Sequence, residues 1–125
     1  MRAALYQHLT ANCSSILSWH QPYTPAAETP KPYGVIVVED ELLSLVNSKG
    51  SFVGISIWPY FAKGSFVAVD NAVKEIKSLL KGAVLTTSSG NKFEIEYVGM
   101  GRDYYDDELK ALTKVLEFRT PQVGK

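Results

Sequence analysis

Phe52 to Gly82 reads FVGISIWPYFAKGSFVAVDNAVKEIKSLLKG, and the spacing of its apolar residues changes once along the way. Val53, Ile55 and Ile57 alternate with Phe52, Gly54, Ser56 and Trp58, the two-residue repeat of a strand. Pro59 is expected to stop that strand. From Ser65 to Lys81 the repeat lengthens. Phe66, Val69, Val73, Ile76 and Leu80 fall at steps of three and four, with Ala72 and Leu79 widening the stripe, so this segment predicts a helix. Ser65 or Asp70 suits its start and Gly82 its C-terminal cap. Lys74, Lys77 and Lys81 line the outside, the last near the negative end of the helix dipole. A strand followed at once by an amphipathic helix calls for a sheet with helices laid against it.

Working outward, Tyr33-Gly34-Val35-Ile36-Val37-Val38-Glu39 is a short β-branched run entered from a proline, which predicts a strand buried on both faces. Between it and Phe52, Leu42, Leu43, Leu45 and Val46 give way to the turn residues Asn47-Ser48-Lys49-Gly50. Toward the N-terminus, Leu5, Leu9, Cys13, Ile16 and Leu17 mark one face of a helix that Trp19 ends. Residues 21–32 form a proline-rich surface linker, too close to the start of the chain to divide two domains. Downstream, Ala83–Thr87 and Phe93–Val98 flank Ser88-Ser89-Gly90-Asn91, the pattern of a hairpin, with Phe93, Ile95 and Tyr97 inward and Glu94 and Glu96 outward. Gly99 to Arg102 leads out of the sheet. Asp103 to Lys114 predicts a short helix with an acidic first turn and with Leu109 and Leu112 inward. Val115–Thr120 is a closing strand, and residues 121–125 a loose tail.

The expectation is a single α+β domain over residues 1–125. It has one mixed, mainly antiparallel sheet of about four or five strands, two main helices on one face and a short third helix. Composition narrows the function. Lys plus Arg and Asp plus Glu each number 13, so the chain has no basic excess with which to neutralise a phosphate backbone, and no sequence-specific nucleic acid is expected as a partner. The lone Cys13 cannot form an internal disulfide. Gln7, His8, Thr10 and Asn12 interrupt the apolar N-terminus, so it does not read as a signal peptide. No stretch reaches the length of a membrane span, and a soluble intracellular chain is expected.

No catalytic or metal-binding pattern stands out. Cys13 falls on the apolar face of its helix, where a thiol is packing, and His8, five residues away, does not share that face well. Asp103, Asp106, Asp107 and Glu108 are clustered carboxylates, but without the alternating ligands and turn glycine of a calcium loop they read as an exposed helix start. Gly99-x-Gly101 lacks the further residues of a phosphate loop. What remains is apolar. Trp19, Tyr23 and Tyr33 bracket the linker, Trp58, Tyr60 and Phe61 crowd a strand end, and Tyr104 and Tyr105 precede the last segment. With Leu43 in the loop after the first long strand, these are the candidate partner contacts.

The order of motifs resembles a known family. A first helix leads into Trp19-His20-Gln21-Pro22. The strand entered at Pro32-Tyr33 follows, then Ile57-Trp58-Pro59, the helix Asp70 to Leu80, Phe93-Glu94-Ile95-Glu96-Tyr97, the stretch Asp103 to Leu112, and a Leu116-Glu117-Phe118 strand. Over nearly its whole length the chain resembles the tail terminator and tail-completion (head-tail joining) proteins of long-tailed bacteriophages. The resemblance implies a structural virion subunit without enzymatic activity or cofactor. Such a subunit assembles in the bacterial host cytoplasm into a hexameric ring that caps the tail tube, ends its polymerisation and offers the head-joining surface. Its partners are then its own copies, the tail tube protein and a head-completion or connector protein, with no membrane partner. The linker from Gln21 to Lys31 and the loop from Asp40 to Ser51 are the expected joining segments. Other readings of the same residues are a head-completion or neck connector protein, a non-viral adaptor that binds a peptide along a strand edge, or an enzyme whose site is not legible.

Overall fold

A computed structural model describes residues 2–22, 25, 29–40, 52–62, 64, 66–87 and 89–121. The alternating run at Phe52 forms the longest strand, β3 (Phe52–Phe61). It pairs antiparallel with β2 (Tyr33–Asp40) over their whole common length, from Tyr33 opposite Tyr60 to Asp40 opposite Val53. β1 (Ser18–His20) lies parallel to β2 on its outer side, with Trp19 opposite Gly34. The other edge of β3 has two neighbours in succession: β9 (Leu116–Pro121) against Phe52 to Ile57, and β8 (Ala111–Thr113) against Tyr60 and Phe61. β6 (Glu96–Met100) pairs with β9, and β7 (Tyr104–Asp106) with β8.

These seven strands therefore occupy five lanes: β1, β2, β3, then β8 with β9, then β6 with β7. Lanes four and five are one long interrupted hairpin. The chain climbs through β6 and β7, turns at residues 107–110, and descends through β8 and β9. A two-stranded sheet of β4 (Val84–Thr86) and β5 (Lys92–Glu94) stands apart. The class matches the sequence reading, while the strand count exceeds it.

α1 (Arg2–Asn12) and α2 (Phe66–Leu80) pack on one face of the sheet. α2 buries Val69, Ala72, Val73, Ile76 and Leu80, the stripe that its spacing predicts. With Leu5 and Leu9 of α1 these residues meet Ile36, Ile55, Ile57, Leu112, Leu116 and Phe118 from the sheet. Gly82 follows α2 at φ 75°, the left-handed conformation that suits a glycine after a helix.

Several expectations are corrected. α1 ends at Asn12 instead of reaching Leu17, which is 68% exposed, and Trp19 lies in a strand. Asn12 Nδ2 donates to the His8 carbonyl, and the amides of Ser14 and Ser15 bond the Glu75 carboxylate of the distant α2 instead of continuing the helix. Asp70 caps nothing, because α2 begins at Phe66; its carboxylate pairs with Lys114 at 3.1 Å. Ser65 lies outside the described residues.

Pro59 does not stop β3. It sits opposite Gly34, at the gap where the second neighbour changes from β9 to β8, so no register partner faces it on that side. The expected hairpin is real only as far as Glu94; after Ile95 the chain crosses to the main sheet as β6, which also takes in Gly99 and Met100.

The short third helix, Asp103 to Lys114, is not formed. β7, a turn and β8 stand in its place. Asp106 Oδ1 accepts the Leu109 amide at 2.9 Å, and Lys110 takes φ 54°. An acidic residue bonding an amide three positions on is the chemistry of a helix start, and here it closes a hairpin turn. Pro121 belongs to β9; the rest of the expected tail, residues 122–125, lies outside the described residues.

Candidate interaction face

Among the described residues, both helices lie on one face of the sheet, and the other face carries no helix. Along β2 the alternate residues Tyr33, Val35 and Val37 point to the opposite face, and so do Trp58 and Tyr60 of β3. There Tyr33, Val35, Tyr60 and Ala111 form a second buried cluster, flanked by half-buried Val37, Trp58 and Leu109. The Tyr33 and Tyr60 rings stack at 5.1 Å, and His20 meets Tyr33 edge-on at 5.6 Å. A hollow of about 430 Å³ lies over this cluster. Val35, Val37, Trp58 and Tyr60 line it together with Pro22, Pro25 and Leu109, and Asp106 and Glu108 supply carboxylates. A second hollow of about 400 Å³ lies on the other side of Trp58, where lane five is interrupted, lined by Gly101, Arg102, Tyr104 and Val115.

The sequence candidates divide into three groups. Tyr33, Trp58, Tyr60 and Tyr104 are brought together on or beside the helix-free face. Trp19, Phe61 and Tyr105 pack against the helix-side core. Trp19 lies across Gly34 so closely that a Cβ there would overlap atoms of its indole. Tyr23 and Leu43, with most of the loop from Asp40 to Ser51, lie outside the described residues.

The electrostatics of the face suit contact better than proton transfer. Burial raises the Tyr33 and Tyr60 hydroxyls above the ordinary phenol range, and the Asp106 charge adds to it, so both stay neutral at physiological pH. The Cys13 thiol is pushed up to about 12 by burial and by Glu75 beside it, so it offers no thiolate at neutral pH. Among the described residues, no three His, Cys, Asp or Glu side chains converge where a metal ion would sit. The clustered carboxylates are divided: Asp106 binds the turn amide, and Asp103 pairs with Lys114 at 2.9 Å.

Two polar ties escaped the sequence reading. Glu75 accepts hydrogen bonds from Ser14 Oγ at 3.0 Å, from the Ser15 amide at 3.0 Å and from Cys13 Sγ at 3.4 Å, locking the end of α1 to α2. Hydrogen bonds from Ser15, the Ser14 amide and the Cys13 thiol hold its carboxyl down at about 2. Lys114 joins Asp70 of α2 to Asp103 of lane five. Both ties span more than 40 residues of chain or bridge separate elements, so no local pattern announces them.

No family model matches the sequence, and no curated protein matches it. A solved structure does. The fold matches a chain from the "Virion of native gene transfer agent (GTA) particle" with a TM-score of 0.70 and 18% identity, over 97% of this chain and 92% of that one. At this identity the likeness is one of fold, and it runs from end to end. No helix among the described residues is long and apolar enough to cross a membrane.

Proposed function

We propose that this chain is a structural subunit of a phage-like virion, a ring-forming protein at the junction of tail and head that caps the tail tube and ends its growth. The observation that carries this reading is the end-to-end fold match to a virion chain, with 97% and 92% of the two chains superposed. The resemblance of the sequence to tail terminators points the same way. The hollow over the aromatic cluster, with half-buried Trp58 in its wall, offers a contact surface for such a subunit, since a few aromatic anchors carry much of the energy of protein interfaces. The partners are then further copies of the chain, the tail tube protein and a head-completion protein, and the site of action is the virion neck.

Deleting the gene in a particle-producing strain and measuring tails by electron microscopy tests this. A terminator role gives tails of irregular, excessive length and heads left unattached. Tails of normal length with unattached heads assign the chain to head completion instead. Unchanged, infectious or transfer-competent particles would sink the virion reading altogether.

A further inference from the structure

Among the described residues, no strand pairs with the five-lane sheet beyond β1 on one side or beyond the β6–β7 lane on the other. β1 forms one edge and the β6–β7 lane the other. Strand direction comes first. β1 runs parallel to β2, β2 antiparallel to β3, and β6 and β7 in the same sense as β3. The two edges therefore run in opposite directions. Copies related by rotation in a ring all point the same way along its axis, so the β1 edge of one would meet the β6–β7 edge of the next as an antiparallel ladder.

Height comes second. β1 stands level with Tyr60 to Trp58 of β3, through its register with Tyr33 to Val35. On the far edge, β6 ends level with Ile57, through Met100 and Leu116, and β7 begins level with Tyr60, through Tyr104 and Thr113. The interruption at residues 101–103 thus lies at the height of β1. There the backbone of lane five bonds lane four through the Gly101 amide on the Val115 carbonyl, the Asp103 carboxylate pairs with Lys114, and Arg102 and Asp103 have no register partner.

Surface chemistry comes third. Leu17, just before β1, is 68% exposed. The interruption opposite holds the hollow of Trp58, Val115 and Tyr104, with Tyr104 55% exposed. β6 carries neither lysine nor proline, the residues that commonly protect an edge, and it presents exposed Val98 and Met100. Its one irregularity, the bulge between Tyr97 and Gly99, limits any added strand to a short one, and β1 is three residues long.

We propose that β1 of a second copy of this chain adds antiparallel to the outer edge of the β6–β7 lane, with its Leu17 seated in the hollow beside Trp58. The contact is head to tail: each copy gives one edge and receives the other, which closes a ring when the rotation allows. It rests on the ring-forming part of the proposed function and names the surfaces that make the ring.

The test uses two variants, Leu17→Lys to block the giving edge and Tyr104→Lys to block the receiving edge, with Met100→Lys as a second receiving-edge variant. All three positions are exposed, and circular dichroism melts check that the fold is kept. Mass is measured in solution, alone and with purified tail tubes. The wild type is expected to form rings in at least one of these conditions, and each variant to stay monomeric in both. Mixing Leu17→Lys with Tyr104→Lys is expected to give dimers and nothing larger, because one open pair of edges remains. Overturning results are a wild type monomeric in both conditions, a variant that assembles like wild type, or a mixture that stays monomeric. Isologous pairing of two β6 edges would show itself as a Leu17→Lys variant that still dimerises alone. These outcomes read self-association only, whereas the gene deletion reads tail length and head attachment, so either idea can fail without the other.

Discussion

Gly34 shows how one residue fixes the outer edge of the sheet. Its backbone is not in the left-handed region, so alanine there is conformationally acceptable and would even restrict the unfolded chain. The obstacle is the Trp19 indole, whose Cη2 stands 2.8 Å from where a Cβ would be, with two ring atoms nearer still. Gly34→Ala is expected to cost about 1–3 kcal/mol by overpacking, read as a lower denaturant midpoint at constant slope. In a Trp19→Leu background the cost should shrink sharply, because the clash and not the backbone sets it. Glu75 makes the second argument at this scale. Its folded pKa lies at about 2 against an ordinary 4.5, so its ionised form is favoured by folding. That contribution is fully present above about pH 4.5 and is lost as pH falls toward 2, since the unfolded chain takes up the proton first. Glu75→Gln should cost about 2 kcal/mol at neutral pH, as expected for losing hydrogen bonds to a charged acceptor, and should flatten the acid limb of a stability-versus-pH curve. Neither Glu75 nor Gly34 is legible in the sequence, because the partner of each comes from a distant or weakly patterned segment.

Among the elements, those with a sustained repeat were readable. β2, β3, α2 and β9 stand where alternation or three-four spacing puts them, and the stripe of α2 is the buried one. The short elements were not. The stretch Asp106 to Leu112 carries an acidic start and the spaced leucines Leu109 and Leu112, which helices and capped turns share. What separates them is the long-range pairing of Tyr104 with Thr113, Tyr105 with Leu112 and Asp106 with Ala111. A substitution tells the two apart by sign. Lys110 sits at φ 54°, so Lys110→Gly should stabilise the hairpin by up to ~1 kcal/mol, whereas a glycine inside a helix would cost about that much. Asp106→Ala, which frees the Leu109 amide, should cost about 1 kcal/mol, and thermal melts of both variants check the pair. Pro59 belongs to the same lesson. The sequence shows the missing donor, but not that the strand crosses a gap between two neighbours where no partner waits.

For the whole molecule, the sequence conveyed the class and the one-sided helix layer, and it undercounted strands because β1 reads as the end of a helix, β7 and β8 as a short helix, and β5 with β6 as one strand; lanes four and five are thereby each broken in two. The break is what creates the hollow beside Trp58, so the feature hardest to read locally is the one that shapes a surface. Of the candidate contacts, Tyr33, Trp58, Tyr60 and Tyr104 share the helix-free side, while Trp19, Phe61 and Tyr105 support the core. Aromatic composition alone cannot make that division; it needs the parity of each residue within its strand. The zero net charge leaves little long-range repulsion between copies, which is compatible with the self-association proposed above.

The order of the lanes also sets a timetable. Lane four, residues 111–121, is made after lane five, yet it lies between lane five and β3. Until it emerges from the ribosome, β6 and β7 have no strand to pair with, one edge of Ile55 and Ile57 stands open, and α2 rests on a half-built floor. Completion of the sheet during synthesis therefore waits for residues 111–121 to emerge. Ribosome-stalled chains in which Val115 has just cleared the exit tunnel should remain sensitive to protease. Chains extended until Pro121 has cleared it should become resistant in a single step, which pulsed proteolysis of a stalling series would record.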